Sequence, residues 1–241
     1  TGGAGKIGSA IAQKFLNENI EVVLFDKNFS NIEEEIKNKC TCIKCDLSNK
    51  EQVKLSINKV VRKFGGIDIL ISNSGLAFQG QMKDLDEEIL QTSMANNFYS
   101  HHYIIQETVK IMINQSFGGS ISINLSKQSI NPGNNFGPYG IAKASALFMM
   151  KQYALECGKH NIRVNGVNAD RIQSGLLTKE MITQRAKSRG IKEGDYLKNN
   201  LLNKEVTAED VAESFYAQLF LNKTTANIIT VDGGNIEASL R

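Results

Sequence analysis

The sequence predicts a single α/β domain over residues 1–241, built on a doubly wound parallel sheet. Six apolar runs bounded by turn residues alternate with stretches of helical period, which is the pattern of successive βαβ units. A glycine-rich loop, TGGAGKIG, occupies residues 1–8, and a helical stretch follows it directly. This length suits one sheet with its flanking helices.

The alternation places each element in order along the chain. The predicted strands are 21–25, 41–45, 67–72, 120–125, 162–167 and 227–231. The predicted helices are 6–18, 50–64, 86–114, 138–158 and 207–221, with a short one near 31–38. Thr207 can cap the last helix, and Asp210 can complete a capping box. Residues 174–206 show no strand pattern and are rich in Lys, Asn and Gly, so we expect a mobile segment of one or two helices over a substrate site.

The glycine-rich loop is not preceded by a strand in this chain. In a doubly wound sheet such a loop follows the first strand, which lies in the middle of the sheet. Loss of a central strand would expose the hydrogen-bonding edges of its two neighbours. We therefore expect the first strand to be missing and the chain to be a fragment, either of a single-domain enzyme or of a fusion with a further domain upstream.

Composition and charge indicate an ordinary globular protein with a substantial core. The chain is 41% hydrophobic and carries 28 basic and 25 acidic residues, a formal charge of +3, with the lysines scattered. Nucleic acid and membrane surfaces are therefore poor candidates as partners. The sequence shows neither an apolar run long enough to span a bilayer nor a cleavable leader, so we expect a cytoplasmic protein.

Three of the four cysteines lie close together without forming a metal-binding pattern. Cys40, Cys42 and Cys45 have no second pair of Cys or His ligands at the spacing that zinc usually needs. His101 and His102 fall in an apolar helical stretch. We expect no metal site, with the clustered cysteines acting as small apolar residues in a reducing compartment.

The glycine-rich loop has the spacing of a dinucleotide-binding turn. Gly3, Gly5 and Gly8 fit G-x-G-x-x-G, and Gly2 with the last two fits T-G-x-x-G-x-x-G. Residues without a Cβ let the backbone approach a pyrophosphate, and the following helix points its N-terminus at the anion. Asp26 ends the next strand, where a carboxylate can accept both hydroxyls of an adenosine ribose and repel a 2′-phosphate. The pattern favours NAD over NADP.

Two lysines beside this site allow the opposite interpretation. Lys6 and Lys27 carry charges that could hold the additional phosphate of NADP. A solvated surface lysine is the commoner explanation of each, and neither cancels the carboxylate of Asp26. The preference for NAD therefore stands as the prediction.

The second informative stretch is NLSKQSINPGNNFGPYGIAKASALF, residues 124–148. Tyr139 and Lys143 stand four apart at the start of a predicted helix and so share one face. The ammonium can lower the pKa of the phenol towards the working pH, which makes Tyr139 a candidate proton donor. Such a pair alone is more often incidental, but Ser126 follows a predicted strand a short distance before it.

These motifs, in this order and spacing, resemble those of the short-chain dehydrogenase/reductase family along essentially the whole chain. SNSG (72–75) corresponds to its Asn-Asn-Ala-Gly motif and TVDGG (230–234) to its C-terminal signature. The resemblance implies a Rossmann-like fold. The catalytic residues it implies are Asn97, Ser126, Tyr139 and Lys143. The cofactor-binding residues it implies are Gly2, Gly5, Lys6, Ile7, Gly8, Asp26, Asp46, Leu47, Asn73, Ser74, Gly75, Tyr139, Lys143 and Ser174.

The resemblance also implies a mechanism, hydride exchange between nicotinamide and a carbinol or carbonyl carbon. Ser126 would hydrogen-bond the substrate oxygen, and Tyr139 would exchange its proton. Lys143 would lower the pKa of Tyr139 and hold the nicotinamide ribose. Asn97 would position a water that links Lys143 to solvent.

The sequence departs from the family pattern at three places, of which Asn73-Ser74 in place of Asn-Ala is a mild change that should keep the backbone role. Lys6 occupies a position where the common subfamily has glycine. Ala169 and Asp170 replace the usual Pro-Gly after the strand at 162–167, which is the sixth when the missing first strand is counted. This change leaves Ser174 to contact the carboxamide of the nicotinamide. Asp170 and Arg171 are either groups on the substrate side or a surface ion pair, and the second interpretation is slightly favoured.

An Asn-x-Asp turn, a charged segment at 185–213 and the ending VDGGNIEASLR resemble one group within the family. These are the dehydrogenase domains of bifunctional aldolase/short-chain dehydrogenases of the rhamnulose-phosphate aldolase/lactaldehyde dehydrogenase type. The resemblance implies a small hydroxyaldehyde, polyol or sugar-derived substrate and an upstream aldolase domain. The alternatives are a reductase of 3-oxoacyl or other keto substrates and a non-catalytic nucleotide-binding module, which would not need all four catalytic residues.

The family commonly forms dimers or tetramers through the helices that correspond to 86–114 and 138–158. In this chain both stretches are more apolar than one buried face requires. We therefore expect a homodimer or homotetramer.

Overall fold

A computed structural model describes residues 1–173, 177–188 and 190–235 of the chain. The strands are β1 Val23–Asp26, β2 Thr41–Lys44, β3 Ile69–Ser72, β4 Gly119–Asn124, β5 Ile162–Ala169 and β6 Ile228–Val231. The helices are α1 Lys6–Asn17, α2 Glu34–Lys39, α3 Lys50–Phe64, α4 Glu87–Met94, α5 Ser100–Gln115, α6 Gly137–Cys157, α7 Lys179–Ser188, α8 Glu193–Tyr196 and α9 Ala208–Gln218. Every predicted strand is therefore present close to its predicted bounds.

The described strands all pair in parallel, which confirms the predicted α/β fold class. β1 pairs with β2, with Leu24 opposite Cys42. The other strands follow in the order β3, β4, β5, β6, and Ile121 of β4 lies between Leu70 and Val164. Strands of this kind are apolar on both faces because helices cover both sides of the sheet.

Helices form a layer on each face of the sheet. On one face α3, α5 and α6 cover the sheet, and Ile104, Ile105 and Met150 are fully buried there. On the other face α1 packs against α9, where Phe15 and Phe215 belong to one buried cluster. Because the paired strands run parallel, the loops that follow them meet at one edge of the sheet. This edge is the usual place for a ligand in this architecture.

An apolar cleft of about 560 Å³ lies between β1 and β3. At the carboxyl ends of these strands the amino nitrogen of Thr1 donates to the carbonyl of Ile71 (2.8 Å), and the Gly3 N–H donates to that of Phe25 (3.3 Å). Within the described ranges, no strand pairs with both β1 and β3. The cleft occupies the position that a doubly wound sheet gives to the strand before the glycine-rich loop.

The helix predicted over 86–114 is present, but a π-helical turn changes its geometry in the middle. α4 passes into a π-helical turn at Ala95–Tyr99 before α5 begins. Within this turn Asn97 is fully buried and hydrogen-bonds the backbone of Leu76. A π-helical turn widens the helix locally without ending it, and the period of the apolar residues does not reveal it.

The segment 174–206 contains two short helices, α7 and α8, in its described part. Their apolar side chains, including Ile182 and Tyr196, form a small cluster of their own. The mobility expected of this segment stays a prediction. The capping box of Thr207 and Asp210 at the start of α9 is confirmed, since each residue accepts the backbone N–H of the other.

Among residues 1–173, 177–188 and 190–235, no group of three or more His, Cys, Asp or Glu side chains is placed to hold a metal ion. The four cysteines carry free thiols. None of the described helices is both long enough and apolar enough to cross a membrane.

Candidate active site

A cleft of about 410 Å³ at the carboxyl ends of β1 to β4 gathers the predicted cofactor-binding residues. Its walls are the loops that follow these strands and the first turn of α1. The predicted residues that line it are Gly2, Gly5, Lys6, Ile7, Gly8, Asp26, Asp46, Leu47, Asn73, Ser74 and Gly75. Ser174 lies outside the described residues.

The glycine-rich loop is shaped for close approach of an anion. Gly2 has a φ of +63°, a conformation that side chains disfavour, and a Cβ on Gly8 would collide with the carbonyl of Gly2. Gly5 is the N-cap of α1 and supplies no capping side chain, and the first turn holds no acidic residue. The N–H groups at this helix end therefore suit the pyrophosphate of a nicotinamide dinucleotide.

Asp26, the predicted ribose ligand, lines the cleft at the end of β1. Its carboxylate accepts hydrogen bonds from the N–H of Ala4 (3.0 Å) and of Asn28 (3.2 Å), so it is fixed against the glycine-rich loop. The Lys27 ammonium, considered above as a phosphate ligand, instead forms an ion pair with Asp46 (3.1 Å). Partial burial raises the pKa of Asp46, but hydrogen bonds from Ser48 and Lys27 outweigh it and lower the pKa overall.

The predicted catalytic residues come together where β4 ends and α6 begins. Ser126 follows β4 directly, and its Oγ accepts the N–H of Gln128 (3.2 Å). The Ser126 side chain is near enough to Tyr139 to lower its pKa, and Lys143 Nζ lies 5.8 Å from the centre of the Tyr139 ring. The Phe136 ring meets that of Tyr139 edge to face and in turn lies under the guanidinium of Arg185 from α7.

Burial dominates the acid–base properties of this group. It raises the pKa of Tyr139 above its ordinary value, and the hydrogen bond with Ser126 only partly opposes this. The lowering of this pKa expected from Lys143 is not seen, because the pKa of Lys143 is itself lowered to about 7 by burial. Tyr139 is therefore a protonated donor at neutral pH, and Lys143 is poised to change its charge there.

Lys143 is held by two acceptors among the described residues. Its Nζ donates to the backbone carbonyl of Asn124 (2.8 Å) and lies 3.3 Å from Nε2 of His101. Because His101 belonged to an apolar stretch in the sequence, its contact with the site was missed. One signal was available: of the two adjacent histidines, His101 stands four residues after Asn97 and so faces the same side of the helix.

Asn97 hydrogen-bonds the loop that follows β3, next to Lys143. Its Nδ2 donates to the carbonyl of Leu76 (2.8 Å), and its Oδ1 accepts the Leu76 N–H (3.0 Å). A Cβ on Gly75 would lie 2.9 Å from Asn97 Oδ1 and 3.6 Å from Lys143 Nζ, so glycine keeps this approach open. The role of Asn97 in positioning a water stays a prediction.

The ion pair of Asp170 and Arg171 is present but partly buried rather than on the surface, with an N–O distance of 3.5 Å. Asp170 also accepts the amide of Asn235 (2.7 Å). Arg171, at a φ of +56°, donates to the carbonyls of Tyr196 (3.2 Å) and Asn199 (2.8 Å). The turn at Asp170 and Arg171 therefore links two segments to the end of β5. Arg171 binds the backbone at and after the end of α8, and Asp170 binds Asn235.

A second buried pair was missed from the sequence. Lys127, directly after Ser126, forms an ion pair with Asp232 and donates to the carbonyl of Asn235 (3.1 Å). Burial alone would raise the pKa of Asp232, but the Lys127 ammonium holds it below its ordinary value. The pair joins the loop of Ser126 to the C-terminal VDGG motif.

A family model described as "Enoyl-(Acyl carrier protein) reductase" matches residues 2–235. The chain belongs to the short-chain dehydrogenase/reductase family. It is therefore an oxidoreductase of this family, whose members bind nicotinamide cofactors. The particular likeness to aldolase fusions is not shown by these comparisons.

Two curated relatives and one solved structure illustrate the match. YuxG of Bacillus subtilis, an uncharacterized oxidoreductase, is 32% identical over 250 residues, which are 97% of this chain and 36% of YuxG. The chain thus spans about a third of the length of that relative. The 3-oxoacyl-[acyl-carrier-protein] reductase FabG of Thermotoga maritima is 28% identical over 97% of this chain and 95% of FabG. Levodione reductase shares the fold, with a TM-score of 0.89 at 21% identity over 99% of this chain and 96% of that one.

Proposed function

We propose that this short-chain dehydrogenase/reductase transfers a hydride between NAD and a small hydroxyaldehyde, polyol or sugar-derived alcohol, or the matching carbonyl compound. The observation that carries the proposal is the grouping of Ser126, Tyr139 and Lys143 beside a cleft that suits a dinucleotide. When bound, the nicotinamide supplies or accepts the hydride. The protein residues hold the substrate oxygen and move its proton.

The proton is handled by Tyr139. In reduction its protonated hydroxyl donates to the carbonyl oxygen and becomes a phenolate, and in oxidation the phenolate form accepts the proton of the substrate hydroxyl. Ser126 would donate to the same substrate oxygen. Lys143, in its charged form, supports a negative charge developing on Tyr139. Ser174 would contact the carboxamide, and Asp46 the adenine side.

The experiment that tests this proposal follows NADH absorbance with a panel of polyols, hydroxyaldehydes and 3-oxoacyl compounds. Turnover with the polyols and hydroxyaldehydes is expected. Turnover with 3-oxoacyl compounds alone would favour the second candidate, a keto reductase, which the match to FabG supports. NAD binding with no turnover on any substrate would instead indicate a non-catalytic nucleotide-binding module.

The length of YuxG bears on how many domains the whole protein has. Because the matched region is only 36% of YuxG, a chain of this kind can be one domain of a larger protein. We infer that an aldolase domain upstream would be consistent with a hydroxyaldehyde or sugar-derived substrate. Sequencing the coding region upstream of Thr1 tests this inference.

Replacing Asp26 by Ser is expected to weaken the preference for NAD by about tenfold or more in the ratio of the two dissociation constants. The reason is that the carboxylate beside the ribose would repel a 2′-phosphate and accept the ribose hydroxyls. Titration of NADH and NADPH by fluorescence measures the ratio. The control variant Asp84→Ser removes an exposed carboxylate paired only with Lys83 and should leave the ratio unchanged. Tighter NADPH binding by the unmodified protein would refute the preference for NAD.

A homo-oligomer is expected to form through α5 and α6. A groove of about 880 Å³ runs between these helices, and on α6 Phe148 is 71% and Leu155 78% exposed. Exposed apolar residues of this size, two turns apart on one helix face, are typical of subunit contacts. Light scattering at micromolar concentration should show a dimer or tetramer, and the double variant Phe148→Glu, Leu155→Glu should lower the mass. Leu55→Glu on α3 is the matched control, and a monomeric unmodified protein would contradict the expectation.

A further inference from the structure

His101 is a buried histidine that the family mechanism does not use. It is the second residue of α5 and is 1% exposed. Its Nδ1 lies 2.7 Å from Oγ of Ser72, and its Nε2 lies 3.3 Å from Nζ of Lys143. The ring therefore joins the end of β3 to the lysine of the catalytic helix α6.

We propose that His101 is a positioning residue that holds Lys143 and favours its charged form, with Ser72 fixing the tautomer that makes this possible. A lysine ammonium can only donate hydrogen bonds, so Nε2 of His101 must be the acceptor. The ring proton then sits on Nδ1 and is donated to Ser72 Oγ, which lies at hydrogen-bond distance. The three side chains form one chain of hydrogen bonds with a single consistent direction.

The ring stays neutral, as this role requires. Burial lowers the pKa of His101 well below its ordinary value, and the charge of Lys143 lowers it further. The other titratable group that faces Lys143 is Tyr139, one turn earlier on α6. A neutral His101 therefore offers its Nε2 lone pair to Lys143 throughout the neutral range.

Loss of this acceptor should change the charge of Lys143. An ammonium carries three donors, and the described residues give it two acceptors, His101 Nε2 and the Asn124 carbonyl. A buried charge depends on its hydrogen bonds, so removing one of the two makes protonation harder. Because the pKa of Lys143 is about 7, such a change alters its protonated fraction where the enzyme works.

Two variants of His101 separate this role from simple packing. His101→Gln places its amide oxygen near the position of Nε2 and can still accept from Lys143, whereas His101→Asn reaches only as far as Nδ1 and keeps the bond to Ser72. His102→Asn is the matched control, since the neighbouring ring bonds Tyr153 (3.1 Å) and faces the groove between α5 and α6. The proton affinity of Lys143 is measured by NMR titration of the protein with 13C-labelled lysine, and the Lys143 signal is identified by its loss in Lys143→Met.

His101→Asn should lower the proton affinity of Lys143 about tenfold or more, whereas His101→Gln should change it by less than about threefold and His102→Asn not at all. Unchanged titration in a folded His101→Asn variant, or an equal loss in the Asn and Gln variants, would overturn the proposal. If His101→Asn does not fold, the titration is done with Ser72→Ala. This variant must also lower the proton affinity of Lys143, and an unchanged proton affinity would overturn the proposal.

The catalytic consequence, a lower kcat in His101→Asn that His101→Gln restores, rests on the proposed function. The titration does not depend on turnover. A protein that shows the predicted Lys143 titration but no hydride transfer would therefore contradict the proposed function and leave the role of His101 standing.

Discussion

Tyr139→Phe should lower kcat by about a thousandfold while NAD still binds, because general acid–base catalysis typically contributes factors of about 10² to 10⁴. The change removes only the hydroxyl and leaves the ring contact with Phe136 in place. The fold and the dinucleotide cleft should therefore be preserved. Steady-state NADH absorbance gives kcat, and fluorescence titration gives the dissociation constant of NAD.

Tyr216→Phe is the matched control for this variant. Its hydroxyl bonds the exposed carboxylate of Glu18 (2.9 Å) on the α1–α9 side of the sheet, away from the site. Turnover in this control should equal that of the unmodified protein. Near-normal turnover in Tyr139→Phe would show that another group supplies the proton and would remove Tyr139 from the mechanism.

Lys143→Met should abolish turnover and yet stabilise the protein at neutral pH. Burial without a carboxylate partner disfavours the ammonium, which lowers the pKa of Lys143 to about 7 in the folded chain. The unfolded chain protonates the same group freely, so the charge destabilises the fold by several kcal/mol below this pKa. Methionine removes that charge but leaves the acceptors of His101 and Asn124 unpaired, so we expect a net gain of about 1–3 kcal/mol in the free energy of unfolding.

The pH dependence of the effect follows from the sign of the shift. Between the folded pKa and the higher unfolded one, the unfolded chain binds more protons, so the stability of the unmodified protein rises with pH in this window. The advantage of Lys143→Met should therefore be largest near and below pH ~7 and disappear towards pH ~10. Urea unfolding at several pH values measures it, with the exposed Lys151→Met as control. A variant less stable than the unmodified protein at neutral pH would contradict this account of the buried charge.

The strands and the cofactor loop could be predicted from the sequence because each has a strong local cause. The apolar side chains Ile121, Ile123 and Leu125 of the stretch 120–125 are buried, and stretches of this kind between turn residues mark the strands in the sequence. The glycines of the loop and Asp26 are fixed by the backbone geometry that a pyrophosphate and a ribose require. The predicted residues at these positions accordingly line one cleft in the structure.

The remaining parts of the site depend on contacts between distant segments, which a local pattern does not carry. His101 reaches Lys143 only because α5 packs beside both β3 and α6. The π-helical turn that buries Asn97 interrupts a stretch whose apolar period looks continuous. Likewise, the expected effect of Lys143 on Tyr139 was reversed by burial, a property of the folded chain rather than of the spacing.

Hydride transfer at this site is tested most directly with a substrate that carries deuterium on its carbinol carbon. The protein, NAD and the labelled polyol or hydroxyaldehyde are incubated, and the NADH formed is analysed by mass spectrometry. We predict NADH that has gained one deuterium from the substrate, at a rate that falls about a thousandfold in Tyr139→Phe. Unlabelled NADH, or bound NAD that no substrate reduces, would contradict the assignment of the site to hydride transfer.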